Sequence, residues 1–107
     1  MKILFVHDRF GAFGGAEANI LATASELKAR GNTVGILHGP RTDKGEPAWT
    51  HAFPFRFPMT DVASVAAALG EFEPDIIYVH KLADLEIVAD LVDSGVPLVR
   101  IDRKSVV

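Results

Sequence analysis

Three of the four histidines in this 107-residue sequence close runs of apolar residues. His7 ends KILFVH, His38 ends TVGILH and His80 ends DIIYVH, with Asp8 and Asp102 at similar places. Imidazole and carboxylate groups gathered at neighbouring strand ends can move protons, orient a ligand or hold a metal. The second chemical signal is GAFGGAEAN, in which Gly11, Gly14 and Gly15 separate an apolar run from an Ala-rich one. Glycines there let the backbone turn tightly and present N–H groups at a helix N-terminus, an arrangement that binds anions.

Each signal has a plainer counterpart. His and Asp also terminate buried strands because they tolerate the passage to solvent, a reading that weighs most on His38. A metal held by His7, Asp8 and His80 has no ligand pair at helical spacing, and neither metal nor cofactor is expected. The glycines alone can make a structural turn. Arg9 and Phe10 could reach over the glycine loop, although an exposed loop position is the default for both. Lys81 could counter a phosphate, although a solvated charge beside a strand end is more common.

Several nucleotide motifs are absent. G-x-G-x-x-G would need glycine where Phe13 stands, and His38-Gly39 replaces the acidic residue that grips a ribose. There is no G-x-x-x-x-G-K-[ST], and the third strand end lacks the Asp of a receiver domain.

The elements that must position these residues follow from periodicity. Lys2 to His7 is a continuous apolar run suited to a strand covered on both faces. Ala16 to Arg30 spaces Ala16, Ile20, Ala24 and Leu27 along one helical face and stops at Gly31. Thr33 to His38 is a second strand, and Gly39 to Trp49 reads as a long mobile loop. His51 to Phe57 alternates Phe53, Phe55 and Phe57 on one face, with Pro54 and Pro58 marking an edge strand and the rings packing beneath a helix. Thr60 or Asp61 caps a helix carrying Val62, Val65, Ala66 and Leu69, ended by Gly70. Asp75 to His80 is a strand, Asp84 to Ser94 a helix presenting Val88, Leu91 and Val92 with Gly95 as its cap, and Pro97 to Ile101 a last strand. Strands alternating with helices, without hairpin signals, predict a three-layer α/β/α Rossmann-like open parallel sheet of five strands in the order 3-2-1-4-5. All the polar strand ends then lie at carboxyl ends, where open α/β sheets bind ligands, and His7 and His80 flank the point where strand order reverses.

Composition bounds the rest. A chain that is 49% hydrophobic with 11 Lys+Arg against 14 Asp+Glu, net −3, folds as one small domain and has no positive field for nucleic acid. The absence of Cys removes disulfide and thiolate chemistry and agrees with a reducing cytoplasm, the expected location. No stretch has the length of an integral membrane segment.

In order along the chain, MKILFVHDRF, GAFGGAE, LKARGNTVGIL, FEPDIIYVHK and SGVPLVR together resemble the amino-terminal domain of family 4 glycosyltransferases of the GT-B fold. The resemblance covers nearly all of residues 1–101, as a partial domain that lacks the family's remaining strand and helices, and leaves 102–107 as a divergent tail. It implies a retaining transferase that moves a sugar from a nucleotide-diphosphate donor to an acceptor, without a metal, in a cleft between two Rossmann-like domains, the first of which receives the acceptor. By position, Gly14, Gly15 and Ala16 match the loop that approaches the donor diphosphate, Glu17 the acidic residue that orders the loop or caps amides, and His80 the histidine at the cleft floor and the catalytic candidate. His7, Asp8, Arg9, His38, Lys81 and Asp102 are candidates to line the cleft.

Two departures stand out. Asn32 replaces the histidine of the family's RGH turn, a change expected to be structural. After SGVPLVR the family's His-Asp pair is replaced by Ile101-Asp102-Arg103, and the paired-Glu donor site of a second domain is missing. The sequence therefore reads as the acceptor-side part of a glycosyltransferase, inactive by itself and prone to pair with a second copy through surfaces that truncation exposes. The alternative is a standalone non-catalytic module binding a small anionic ligand or a protein partner. A frame continuing past Arg100 into a second domain belongs to the first reading, and a stop after Val107 to the second.

Overall fold

The computed structural model describes residues 1–11, 14–60, 62–80 and 85–101. Lys81, Asp102, Asp61 and Asp84, named above, lie outside the described residues, as do the side chains of Ala16 and Val62. The elements are β1 (Lys2–His7), α1 (Gly15–Ala29), β2 (Thr33–His38), α2 (Glu46–Ala52), β3 (Phe55–Pro58), α3 (Val62–Phe72), β4 (Ile76–His80), α4 (Leu85–Asp93) and β5 (Leu98–Ile101). All strand pairs are parallel and the order is β3-β2-β1-β4-β5. The apolar run of β1 is central, and strand order reverses between β1 and β4.

Because side chains alternate across a strand, the sheet divides its residues between two cores. Ile3, Phe5, Val34 and Ile36 face Ile20 and Ala24 of α1 and Trp49 of α2. Leu4, Val6, Leu37, Ile77 and Val79 face Val65, Ala68 and Phe72 of α3 and Ile87 and Leu91 of α4. The chain thus forms the three expected layers.

Element boundaries differ from the periodicity reading where packing overrides local signals. The segment predicted as a mobile loop contains the first four residues of α2, which starts after Gly45 in the left-handed region, carries proline in its first turn and buries Trp49 and Ala52. Proline in the first turn is a start signal that the amino-acid pattern offered. Because α2 runs to Ala52, β3 is shorter than predicted. Phe53 packs edge-on against Phe5 at 5.4 Å in one core, whereas Phe55 and Phe57 lie 5.5 and 6.1 Å from Phe72 on the other side, so the three rings do not share a face. Phe55 is 47% exposed.

In α3 the apolar stripe runs through Val65, Ala68, Leu69 and Phe72, with Ala66 exposed. Gly70 does not end this helix. Burial of Phe72 holds the last turn, and Glu73, at φ 52°, leaves it. In α4 Ile87 takes the buried place predicted for Val92, which is 58% exposed. Asn32 closes α1, its Nδ2 donating to the Leu27 carbonyl at 2.9 Å just after Gly31 at φ 92°. No described helix is long and apolar enough to cross a membrane.

Gly70 is exposed inside α3, with nothing within 4 Å of the place its Cβ would take. Gly70→Ala should stabilise the protein by about 0.5–1 kcal/mol through the unfolded chain's lost freedom, measured as a raised urea midpoint at unchanged slope.

Candidate functional site

The period of two that builds the cores also sets His7, His38 and His80 on one face, the α1/α2 side. His7 is in register with His38, and His80 follows Val79, the partner of Val6. All three rings are buried at the carboxyl ends of adjacent strands. Their shared parity was legible in the strand patterns; their burial was not.

His7 is the hub. Its Nδ1 lies 2.7 Å from the main-chain oxygen of His80, and its Nε2 lies 2.6 Å from Oε2 of Glu17. A carbonyl oxygen only accepts, so Nδ1 carries a hydrogen and donates it. The Nε2···Oε2 contact then needs one further proton, since otherwise two acceptors would face each other. His7 and Glu17 are 0% and 2% exposed, so water does not replace that proton bond. Asp8 Oδ1 lies 3.6 Å from the same nitrogen, the indole of Trp49 stacks at 6.3 Å, and the ring of His80 stands edge-on at 5.6 Å.

Glu17 occupies the third position of α1, from which a carboxylate reaches back to the amides of the helix start. Burial pushes its pKa up, but the hydrogen bond and charge of His7, with the N–H groups of Glu17 and Gly14, outweigh burial and hold it below the ordinary value. The capping expected of Glu17 is therefore coupled to an ion pair that sequence reasoning missed. That coupling has an electrostatic consequence. The proton shared with His7 offsets the Glu17 charge, leaving the positive end of the α1 dipole uncancelled beside Gly14 and Gly15. Both glycines are exposed. The N–H groups of Gly15 and Ala16, in the first turn, have no acceptor within the helix.

The strand-end loops are zipped together. Phe10 N–H donates to the Pro40 carbonyl at 3.1 Å, Thr42 N–H to the Phe10 carbonyl at 3.0 Å, and Gly39 N–H to the His7 carbonyl at 3.0 Å. A Cβ on Gly39 would fall on the Asp8 carbonyl, and Gly11, at φ 122°, leaves a Cβ only 2.7 Å from the Lys44 carbonyl oxygen. Only glycine allows these backbones so close. Phe10, expected to be exposed, is fully buried against His38 at 4.6 Å and Trp49 at 5.5 Å. His38 Nδ1 lies 2.8 Å from the Gly39 carbonyl oxygen, and burial, ahead of the charges of Arg41 and Arg56, lowers the His38 pKa from 6.5. Among the described residues, no three His, Asp or Glu side chains converge as a metal would require.

Between α1 and the loop after β2 opens a pocket of about 720 Å³, bordered by Asp8, Arg9, Gly14 and Glu17. It lies on the β1–β2 side, whereas His80 lies across β1 at the reversal point. The candidate residues thus form two neighbouring groups, joined through His7.

Two outcomes follow. Glu17→Ala leaves the buried His7 without its partner and should cost about 3–5 kcal/mol in urea unfolding, whereas Glu17→Gln, which can donate to Nε2, should cost only about 1 kcal/mol. For His38 the lowered folded-state pKa means that the unfolded chain binds the proton more readily, so its contribution is complete above pH 6.5 and is lost as pH falls below that value. His38→Gln should flatten the stability profile just below pH 6.5. The separate loss from Glu17 begins only below its ordinary value of 4.5.

No protein-family profile matches this sequence, and no curated protein matches it. Among solved structures, the chain is similar to the C-terminal domain of a hydrogenase from Pyrococcus furiosus, with a TM-score of 0.68, 16% identity, and coverage of 94% of this chain and 90% of that one. At that identity the likeness is one of fold.

Proposed function

We propose that this chain is the acceptor-side, GT-B-type amino-terminal part of a glycosyltransferase that moves a sugar from a nucleotide-diphosphate sugar to an acceptor. One observation carries the reading: the exposed Gly14-Gly15 turn opens α1 at the carboxyl end of the central strand, with the Glu17 charge offset by His7. This is the electrostatic condition that an incoming diphosphate needs. As the bond from the sugar to the diphosphate breaks, negative charge grows on phosphate oxygens. Fixed N–H groups of Gly15 and Ala16 and the helix dipole stabilise that charge without reorganising. Glu17 and His7 hold the turn in place, and the His80 carbonyl fixes the orientation of His7. The His80 ring, on the same face at the reversal point, is the catalytic candidate. The ordered motifs of residues 1–101 support the sugar-transfer chemistry of this reading, and the geometry of the glycine turn supports its anion site.

The standalone-module alternative also draws on an observation, the pocket beside α1, which needs no second domain. The two readings part on nucleotide binding. Titrating the ¹⁵N-labelled chain with uridine diphosphate and guanosine diphosphate should shift the amides of Gly15 and Ala16, more strongly than the matching monophosphates do. Unmoved amides with both diphosphates would sink the glycosyltransferase reading. The chain alone should show no sugar transfer from nucleotide sugars, and measurable turnover would contradict its assignment to the acceptor side.

A further inference from the structure

The pocket on the β1–β2 side has a composition that the diphosphate loop does not explain. One wall is apolar, built from Ala18 and Leu21 one turn apart on α1 and from Trp49 of α2. The facing wall is the loop after β2, which brings Arg41 and Lys44 to the rim, and Arg9 and Asp8 lie at the strand end. Three of the chain's 11 Lys and Arg residues therefore border one pocket of a protein with net charge −3. Of the two carboxylates that border it, Glu17 is offset by His7 and Asp8 remains, while Glu46, behind the rim, pairs with Arg41.

The cationic wall is braced before any ligand arrives. Arg41 Nη1 donates to Glu46 Oε1 at 3.1 Å, and its guanidinium lies 5.6 Å from the centre of the Phe10 ring. Asp43 N–H donates to the other Glu46 oxygen at 2.8 Å, and the Thr42 hydroxyl donates to the Lys44 carbonyl at 3.2 Å. With the Phe10 ladder beneath it, the loop has already lost much of the freedom that binding would otherwise cost. A guanidinium carries five N–H donors, and the Glu46 contact engages only one of its nitrogens.

We infer that this pocket binds a phosphorylated sugar or polyol. A phosphate ester is a dianion, suited to more than one cation, and meets Arg41 and Lys44 through charge-assisted hydrogen bonds. The apolar wall suits the C–H face of a sugar ring, and the Asp8 carboxylate accepts from hydroxyl groups. A volume of about 720 Å³ takes such a molecule and is far larger than a bare phosphate needs. As a statement about the acceptor of the transferase this rests on the function proposed above; as a statement about binding it does not.

The test is a titration of the ¹⁵N,¹³C-labelled chain with glucose 6-phosphate, with glucose and inorganic phosphate as parallel arms. The expected result is saturable shifts at the Thr42 and Lys44 amides, the Leu21 methyls and the Trp49 indole with glucose 6-phosphate, and none with glucose. The Arg41→Ala/Lys44→Ala double variant should weaken binding by about tenfold or more, the size expected for losing a charged hydrogen bond. Lys44→Glu, which leaves the Arg41–Glu46 brace intact, should weaken it as well; spectra with native dispersion establish that the variants fold. Absence of shifts, shifts elsewhere, or undiminished binding by the variants overturns the inference. Inorganic phosphate binding as tightly as the ester does so too, marking an adventitious ion only. Failure of the glycosyltransferase reading is visible separately, at Gly15 and Ala16 with nucleotide diphosphates.

Discussion

A single buried proton between His7 and Glu17 joins the parts of this structure that make up the candidate site. His7 belongs to the central strand, Glu17 to the first turn of α1, and the His80 carbonyl on the other side of His7 to β4. One imidazole therefore fixes the start of α1 relative to the two strands that flank the reversal of strand order. Buried ionisable groups are tolerated only when paired and hydrogen-bonded, so His7 and Glu17 require each other. The same pairing decides the electrostatics of the glycine turn. An ionised Glu17 alone would repel an anion from the helix start; offset by His7, it orders the turn without closing it to phosphate.

The loops beyond the strands extend this rigidity. Phe10 and Trp49 sit beneath the segment Pro40–Lys44, and the backbone ladder through Phe10 continues the pairing of β1 and β2 past their ends. Gly39 and Gly11 allow the close approach, so the loop after β2 stands as a wall opposite α1. Arg41 and Lys44 owe their places on that wall to Phe10 and Glu46. Site and scaffold are therefore not separable here: the residues that close the core over His38 are the ones that hold the cationic rim.

How much of this was legible in the chain depends on the range of the signal. The strands ending in His7, His38 and His80, the capping glycines at 31 and 95, and the order of the sheet follow from patterns within a few residues. So does the glycine turn with Glu17 three positions into its helix. Short α2 was missed because seven residues show too little periodicity, although Pro47 marked its start. Gly70 misled because glycine ends helices when nothing else intervenes, whereas here the burial of Phe72 carries α3 past it. The Phe53, Phe55, Phe57 alternation misled for a related reason: α2 takes Phe53 out of the strand and into the opposite core.

By itself the amino-acid sequence determined the layered α/β architecture, since alternation of period-two and helical patterns leaves few ways to cover five parallel strands. It also determined that histidines gather at the carboxyl edge on one face, because strand parity is a local property. Only the tertiary structure decided what those histidines do. The His7–His80 contact joins residues 73 apart in the chain, and the Phe10 ring reaches His38 and Trp49 across two loops. Such contacts depend on the relative placement of whole elements, and burial then turns them from surface polarity into a shared proton, a lowered histidine pKa and a preformed pocket. No local pattern encodes those distances, which arise when the two cores close around the sheet.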